Sequence, residues 1–247
     1  MDLRVTRKVQ AAQDIWSFEL RHPRDEALPP FTAGAHLTVR LPDGVRRNYS
    51  LCSDPADTGR YQIAVKRDAQ GRGGSIRMAD GVAEGAILPV SMPRNNFELH
   101  PRAGAFLFIA GGIGITPILS MMRQLQRTGS APFRLIYCTR DSANTAFLNE
   151  LATEFPGRVE LHHDHGDPEQ AYDFWPVFET PGNAHVYCCG PRGLMDAVPI
   201  GDFGAVQRTQ RQLRGDEVIH ERGVRFAQAV DELADILARE NVAGVTP

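Results

Sequence analysis

"AFLFIAGGIGITPILSMMRQLQRTG", residues 105–129, changes its periodicity half-way along. A continuous apolar run ends on Gly111 and Gly112, a third glycine follows at Gly114, and from Thr116 the apolar residues recur at helical spacing. The first part reads as a strand buried on both faces and the second as a helix. The pattern then repeats. "FRLIYCTR" (133–140) is a second apolar strand, "NTAFLNELATEF" (144–155) a second helix, "VELHHDH" (159–165) a third strand and "AHVYCCG" (184–190) a fourth. Strands alternating with helices predict a parallel sheet covered on both faces.

Upstream the texture differs. "LRVTRKVQ" (3–10), "IWSFELRH" (15–22), "AHLTVRLP" (35–42), "RRNYSLCS" (46–53), "RYQIAVKRD" (60–68) and "GAILPVSMP" (85–93) are short, rich in β-branched and aromatic residues, and separated by Pro, Gly and Asp turns. Six such strands predict a small antiparallel barrel. The expected fold is therefore all-β plus α/β: a six-stranded barrel over residues 1–102, a Rossmann-like parallel domain over 103–200, and a linker with a helical tail over 201–247, with the boundary at "HPRAG" (100–104). In the tail, "RFAQAVDELADILARE" (225–240) puts Phe226, Val230, Leu233 and Leu237 on one helical face.

The totals agree with this division. A composition of 42% hydrophobic and 23% charged residues is that of a globular protein, and 247 residues suffice for one large domain or two compact ones, with the length favouring two. A net charge of −3 argues against general nucleic-acid binding. No apolar run reaches membrane-spanning length, and "MDLRVTRKVQ" has no signal-peptide core. The four cysteines, Cys52, Cys138, Cys188 and Cys189, form no C-x-x-C pair, and the adjacent pair is poorly placed for a structural disulfide. A reduced, cytoplasmic protein is expected.

Glycines between a strand and a helix let the backbone approach a phosphate, and the helix start supplies free N–H groups. Thr116 is expected to cap that helix and Pro117 to suit its first turn. Gly111, Gly112 and Gly114 taken alone fit a plain tight turn equally well. "YCCGPRGLMDAV" (187–198) repeats the device, with Cys189, Gly190 and Pro191 between strand and helix, and two such turns from one sheet would face one crevice. In the barrel half, alternation places Arg47 and Tyr49 of "RRNYSLC" on one strand face and Ser50 on the other. "AVKRDAQGRGGSIR" (64–77) surrounds Gly73, Gly74 and Ser75 with Lys66, Arg67 and Arg72, a phosphate-like setting that a solvated hairpin loop would also explain.

The combination resembles the ferredoxin–NADP reductase superfamily of flavoproteins, and more closely the phthalate dioxygenase reductase family, which feeds electrons to Rieske-type oxygenases. The resemblance runs from residue 1 to about 205 and rests on "RRNYSL", "AVKRDAQGRGGS", "AGGIGITPILSM" and "HVYCCGPRGLMDAV". It implies that the barrel binds flavin and the second domain NADH. Arg47, with Asn48 beside it, would hold the flavin's phosphate side, Tyr49 would stack on the ring, and Ser50 would approach its reactive nitrogen. Ala64 and Lys66 fall in the phosphate segment, where Gly73, Gly74 and Ser75 would cradle FMN. The "GRGGS" form favours FMN over FAD. Gly111, Gly112, Gly114, Thr116 and Pro117 would shape the dinucleotide site, with Cys189, Gly190 and Pro191 at the nicotinamide. NADH is favoured over NADPH, although Arg140 is placed to meet a 2′-phosphate. The cofactors carry the chemistry, so the catalytic candidates are Tyr49, Ser50 and Cys189, with no general base.

"HHDHGD" (162–167) looks like a metal cluster, with His163 and His165 on one strand face, but the same stretch resembles a reductase segment in which no metal is implied. Family members of this type continue into a [2Fe–2S] ferredoxin domain held by four cysteines. No cysteine follows Cys189, so the chain as given is expected to hold no cluster. Residues 201–247 are then either the beginning of such a domain or a divergent helical cap. "PIGDFGAV" (199–206) stands where the family has a further helix and strand, with Phe203 as a substitute for an aromatic against the flavin. The expected function is an NADH-dependent oxidoreductase that passes electrons through FMN to an oxygenase or a separate ferredoxin. The alternatives are a free-standing NAD(P)H:acceptor flavin reductase and a catalytically impaired flavin-binding subunit.

Overall fold

The computed structural model describes residues 1–41, 43–71, 73–179 and 184–199, together with the backbone of 206–210 and 219–222. The six expected strands of the first half are all present: β1 (Asp2–Ala12), β2 (Ile15–Arg21), β3 (His36–Arg40), β4 (Arg46–Ser50), β5 (Tyr61–Lys66) and β6 (Ile87–Pro89). They pair antiparallel as a sheet of order β5-β2-β1-β6 and a ribbon β3-β4. Single bridges Leu51–Ile63 and Val39–Val90 join the ribbon to the two edges of the sheet, and a third, His36–Arg94, ties it to the segment after β6. Alternation decides its interior: Leu3, Val5, Phe18, Leu20, Leu37, Val39, Ile63 and Val65 point inward and are buried.

One helix was not expected. α1 (Gly74–Gly81) stands where the sequence suggested only a glycine loop, and its Met78, with Val82 just beyond, joins the barrel's core. Lys8 fixes its far end, donating from Nζ to the carbonyls of Ala79 and Val82 at 2.6 and 2.8 Å. A cation at the carbonyl end of a helix is favourably placed.

The second half is a six-stranded sheet of order β12-β11-β10-β7-β8-β9, from β7 (Ala105–Gly111), β8 (Phe133–Thr139), β9 (Val159–His163), β10 (Ala184–Gly190), β11 (Val206–Gln210) and β12 (Ile219–Arg222). All neighbours are parallel except β11 and β12. The sheet continues past residue 200, so a further parallel strand does follow β10. The helices are α2 (Ile115–Thr128), α3 (Leu148–Glu154), the single turn α4 (Trp175–Phe178) and α5 (Arg192–Ala197). α2 stops at Gly129, left-handed at φ 59°, whose N–H donates to Leu125 O at 2.8 Å. Every residue of β7 is buried, as its apolar run requires. Phe203 and the amphipathic stretch 225–240 lie outside the described residues.

Each half has a core of its own, and a third cluster joins them. Ile15, Ala33, Cys52, Ala64 and Phe97 of the barrel share one cluster with Phe106, Ile115, Ile118, Leu119, Met121, Met122 and Cys189. The connecting segment is pinned as well: Tyr187 Oη donates to Glu98 O at 2.9 Å and accepts from His100 N–H at 2.8 Å.

Candidate functional site

The chain runs β7, β8, β9 in one direction across the sheet and then returns to place β10 on the other side of β7. The reversal leaves a crevice at the carboxyl ends of β7 and β10, the position where open α/β sheets bind ligands. Both glycine turns of the sequence open there, and they are in contact. A Cβ on Gly111 would lie 2.6 Å from Pro191 Cδ and 2.8 Å from Leu194 Cδ2, and one on Gly190 would lie 3.0 Å from Gly111 Cα. A Cβ on Gly114 would meet Cys189 O at 2.0 Å. Three of the glycines thus exist to let two turns touch. Gly112 differs: its φ is +50° and nothing lies within 4 Å of where its Cβ would be. It presents open backbone at the start of the 3-10 turn (Gly112–Gly114) that leads into α2.

Thr116 does not cap this helix as expected. The N-cap is Gly114, and Thr116, buried in the first turn, donates its hydroxyl to Ile113 O at 3.0 Å. Pro117 sits in the first turn, where its missing N–H costs nothing. The turn has a support that the sequence reading overlooked: Tyr137, fully buried on β8, donates to Gly112 O at 3.0 Å. Burial pushes its phenol well above the ordinary range, so it stays a donor. The signal was a lone phenol inside an otherwise apolar strand. Cys189 is 4% exposed, and its carbonyl faces Gly114.

At the carboxyl end of β8, Thr139 Oγ1 lies 2.7 Å from Thr145 Oγ1 and 3.0 Å from His163 Nδ1. Arg140 follows it on the surface. The histidines of "HHDHGD" are dispersed among other partners: His162 Nε2 lies 2.7 Å from Gln170 O, and the His163 and His165 rings are 6.4 Å apart. Among the described residues no three metal-ligating side chains converge.

In the barrel, β4 and the start of α1 come together. A Cβ on Gly74 would lie 2.6 Å from Arg47 Nε and 3.0 Å from Cζ, so the guanidinium lies directly over the first residue of the helix. Gly73, just before it, is left-handed at φ 81°. Ser75 Oγ accepts from Asp68 N–H at 3.1 Å, which folds the loop back on the helix start. Two ion pairs brace α1, Arg77–Asp43 at 2.6 Å and Arg67–Asp80 at 3.0 Å. Arg72 lies outside the described residues, and Lys66 is exposed at the end of β5. A cation above helix N–H groups, with no Cβ between them, fits a phosphate.

The rest of β4 follows strict alternation. Arg47 and Tyr49 lie opposite Val39 and Leu37, while Asn48 and Ser50 lie opposite Thr38 and His36. Tyr49 is therefore 4% exposed and belongs to the barrel cluster, and Asn48 accepts from Thr38 Oγ1 at 2.8 Å. Ser50 is half-buried on the other face. The two sites meet through β5, which packs against the 3-10 turn at Gly112–Gly114, and Ala64 shares a cluster with Ile115 and Cys189.

An antiparallel barrel with an arginine-roofed helix start, packed on a parallel sheet with a glycine-lined crevice, puts a phosphate-suited site and a ligand crevice on one molecule. Residues 2–99 match the family described as oxidoreductase FAD-binding domain and residues 108–199 the oxidoreductase NAD-binding domain. The phthalate 4,5-dioxygenase oxygenase reductase subunit of Pseudomonas putida is 58% identical over 198 residues, covering 79% of this chain and 61% of the relative. Phthalate dioxygenase reductase of Burkholderia cepacia is 57% identical over 198 residues, covering 79% and 62%. A solved phthalate dioxygenase reductase, described as a modular structure for electron transfer from pyridine nucleotides to [2Fe–2S], superposes with a TM-score of 0.81 at 52% identity over 85% of this chain and 67% of that one. The chain belongs to the phthalate dioxygenase reductase family. It spans about three fifths of the length of these curated relatives. Among the described residues no helix is long and apolar enough to cross a membrane.

Proposed function

We propose that this chain binds FMN in the barrel and NADH in the crevice of the sheet, and that it passes electrons from one to the other and on to an oxygenase or a separate ferredoxin. The observation that carries the reading is the Arg47 guanidinium lying over Gly74 at the start of α1. It unites two distant sequence segments into one anion site at the barrel's rim. The sheet then presents its glycine crevice across β5 from that site.

The roles follow from placement. Arg47 and the N–H groups of Gly74 and Ser75 hold a terminal phosphate, Gly73 turns the chain into the helix, and Lys66 adds positive charge nearby. Asn48 stays with Thr38 as part of the strand, and Tyr49 supports the site from within the barrel while Ser50 offers a hydroxyl on the opposite face. Ala64 keeps the floor between the two sites low. Gly111, Gly112 and Gly114, with Thr116 and Pro117 in the helix start, receive the dinucleotide's phosphates. Cys189, Gly190 and Pro191 form the wall where a nicotinamide would lie. A flavin held here by Arg47, Gly74 and Ser75 would supply two-electron redox chemistry between a dihydronicotinamide and an acceptor. The chain's task is orientation and exclusion of water.

FMN is favoured because the phosphate site closes directly onto α1. The domains are then a flavin barrel, 1–102, and an NAD domain, 103–200. Four buried cysteines suit a reducing, cytoplasmic setting. The test is anaerobic. The flavin is extracted and identified by mass, and the visible spectrum of the holoprotein is followed as NADH is added. An FMN spectrum that bleaches is the expected result. A colourless protein defeats the flavin assignment, and a flavin that stays oxidised defeats the reductase assignment.

A further inference from the structure

Arg123 lies on α2 where the sheet domain meets the barrel, and only 13% of its side chain is exposed. Its guanidinium is shared between the two halves. Nε and Nη2 donate to the two carboxylate oxygens of Glu154 at 2.8 and 2.6 Å. Nη1 crosses the seam to Cys52 O at 2.6 Å and Gln62 Oε1 at 3.1 Å. On the barrel side those two residues are themselves tied: Cys52 N–H donates to Gln62 O at 2.8 Å, and Gln62 Nε2 donates to Ser17 Oγ at 3.0 Å. Burial works against the positive charge, but the hydrogen bonds and charge of Glu154 outweigh it, and the guanidinium is held more firmly protonated than usual.

The placement of these partners gives the contact a meaning. α2 is the helix whose first turn closes the dinucleotide crevice, and Arg123 lies about 12 Å along it from Ile115 at 1.5 Å per residue. Cys52 is two residues beyond Ser50 of β4, and Gln62 is two residues before Ala64 of β5. One side chain therefore joins the dinucleotide helix to β5 and to the segment just beyond β4, the two stretches next to the candidate flavin residues. The remainder of the seam is mostly apolar, including Ile15, Ala33, Phe97 and Met121. Apolar contact is non-directional, so such faces slide at little cost. Hydrogen bonds from a planar fork fix distance and angle. The nearby Arg127–Asp54 pair, at 3.1 Å, is partly exposed and adds little.

We propose that Arg123 is the positioning residue that sets the register between the dinucleotide helix and the flavin strands, and thereby the approach of nicotinamide to flavin. The proposal rests on the function proposed above and deepens it. Hydride transfer moves two electrons and one hydrogen nucleus together from the dihydronicotinamide to the flavin, leaving oxidised nicotinamide and reduced flavin. The donor and acceptor atoms must lie about 3–3.5 Å apart, and a 1 Å misplacement costs on the order of a hundredfold in rate.

Arg123→Lys keeps the charge against Glu154 but loses the fork, and Gln62→Ala removes one acceptor on the barrel side together with the bond of the same amide to Ser17. Arg123→Met removes the whole contact. In the holoprotein, flavin reduction by saturating NADH is followed by anaerobic stopped flow, with deuterated NADH as a second substrate. In the flavin-free protein, hydrogen exchange is measured over residues 51–64 and 115–128. Arg123→Lys is expected to reduce its flavin at least about tenfold more slowly, with a larger isotope effect and with NADH affinity within about twofold of wild type. Gln62→Ala moves in the same direction by less, and both variants exchange faster at Cys52. Flavin reduction at the wild-type rate in Arg123→Lys and Gln62→Ala overturns the proposal, as does unchanged exchange. A fall in melting temperature with an unaltered rate assigns Arg123 to stability alone and also overturns it. If Arg123→Met fails to fold, the other two variants decide. A wild-type flavin that NADH does not reduce defeats the proposed function, while the exchange measurement still decides whether Arg123 locks the seam.

Discussion

The contact between the two glycine turns predicts opposite outcomes for one substitution made at two nearby sites. At Gly114 the backbone is right-handed helical, φ −62°, so alanine meets no conformational strain there. Its methyl group would, however, sit 2.0 Å from Cys189 O, 2.4 Å from Cys189 C and 2.9 Å from Gly190 N. Those atoms are backbone at the end of a paired strand and have no rotamer through which to escape. The carbonyl must retreat by roughly 1.4 Å to regain ordinary van der Waals contact. Overpacking of this kind costs about 1–3 kcal/mol, and a rigid backbone puts Gly114→Ala at the upper end. At about 2–4 °C per kcal/mol for a domain pair of this size, the melting temperature falls by roughly 5–10 °C. Gly193, in α5 just beyond the second turn, has nothing within 4 Å of its Cβ position. There alanine should stabilise by about 0.5–1 kcal/mol, because it removes glycine's extra unfolded freedom from a helix. Urea melts of the flavin-free proteins, followed by circular dichroism, give both numbers. A Gly114→Ala protein as stable as wild type would refute the close approach, and with it the joint crevice. Titration with NAD+ should also show a weakened site in Gly114→Ala and an intact one in Gly193→Ala.

Gly74→Ala should separate binding from stability. The three atoms nearest to the added methyl all belong to the Arg47 side chain, at 2.6 Å from Nε, which can swing away, so the flavin-free melt stays near wild type while flavin affinity falls by about tenfold or more, read by quenching of flavin fluorescence. Tyr137→Phe removes the hydrogen bond to Gly112 O and should lower stability by about 1 kcal/mol and weaken NAD+ binding, with urea melts and calorimetry as the measurements. Burial alone would raise the Glu19 carboxyl, but hydrogen bonds from Arg60, Arg21 and Thr6 bring its pKa down to about 2. A carboxyl depressed in the folded state stabilises fully above its ordinary value of 4.5, and that stability is lost as pH falls from there towards 2. Between about pH 6 and pH 3 the urea midpoint of wild type should therefore drop further than that of Glu19→Gln, and parallel curves would show that the carboxyl is not depressed.

The strands and their two periodicities were legible because each depends on a local rule. Leu3, Val5, Phe18 and Leu20 alternate, Phe106–Ala110 run unbroken, and both patterns survive folding unchanged. The two glycine turns were legible for the same reason, since a strand, a glycine and a helix follow one another in the chain. α1 was not. It is eight residues long, lacks a capping side chain and has glycine at both ends, and what makes it a helix is Met78 packing into the barrel and Lys8 closing its carbonyls from β1. Thr116 misled because a hydroxyl near a helix start suggests a cap, whereas the 3-10 turn before α2 moves the cap two residues upstream to Gly114. Tyr137 and Arg123 were invisible because their partners lie 25 residues away in one case and 71 and 61 in the other.

Residue type and residue task separate most sharply at the glycines. Gly112 has open space and a left-handed φ, so its lack of a side chain exposes backbone to whatever enters the crevice. Gly111, Gly114 and Gly190 have no such space, and their lack of side chains is consumed in bringing the ends of β7 and β10 together. A ligand could replace nothing at those three positions. Substitution at Gly112 should therefore act chiefly on binding, and substitution at the packed glycines on binding through the loss of the fold's own joint. The same division holds in the barrel, where Gly74 is filled by Arg47 and Gly73 supplies the left-handed turn that aims the helix. In both halves one glycine sets direction and another admits a neighbour. The anion site needs both, because a helix start attracts phosphate only when it is aimed at the ligand and unobstructed.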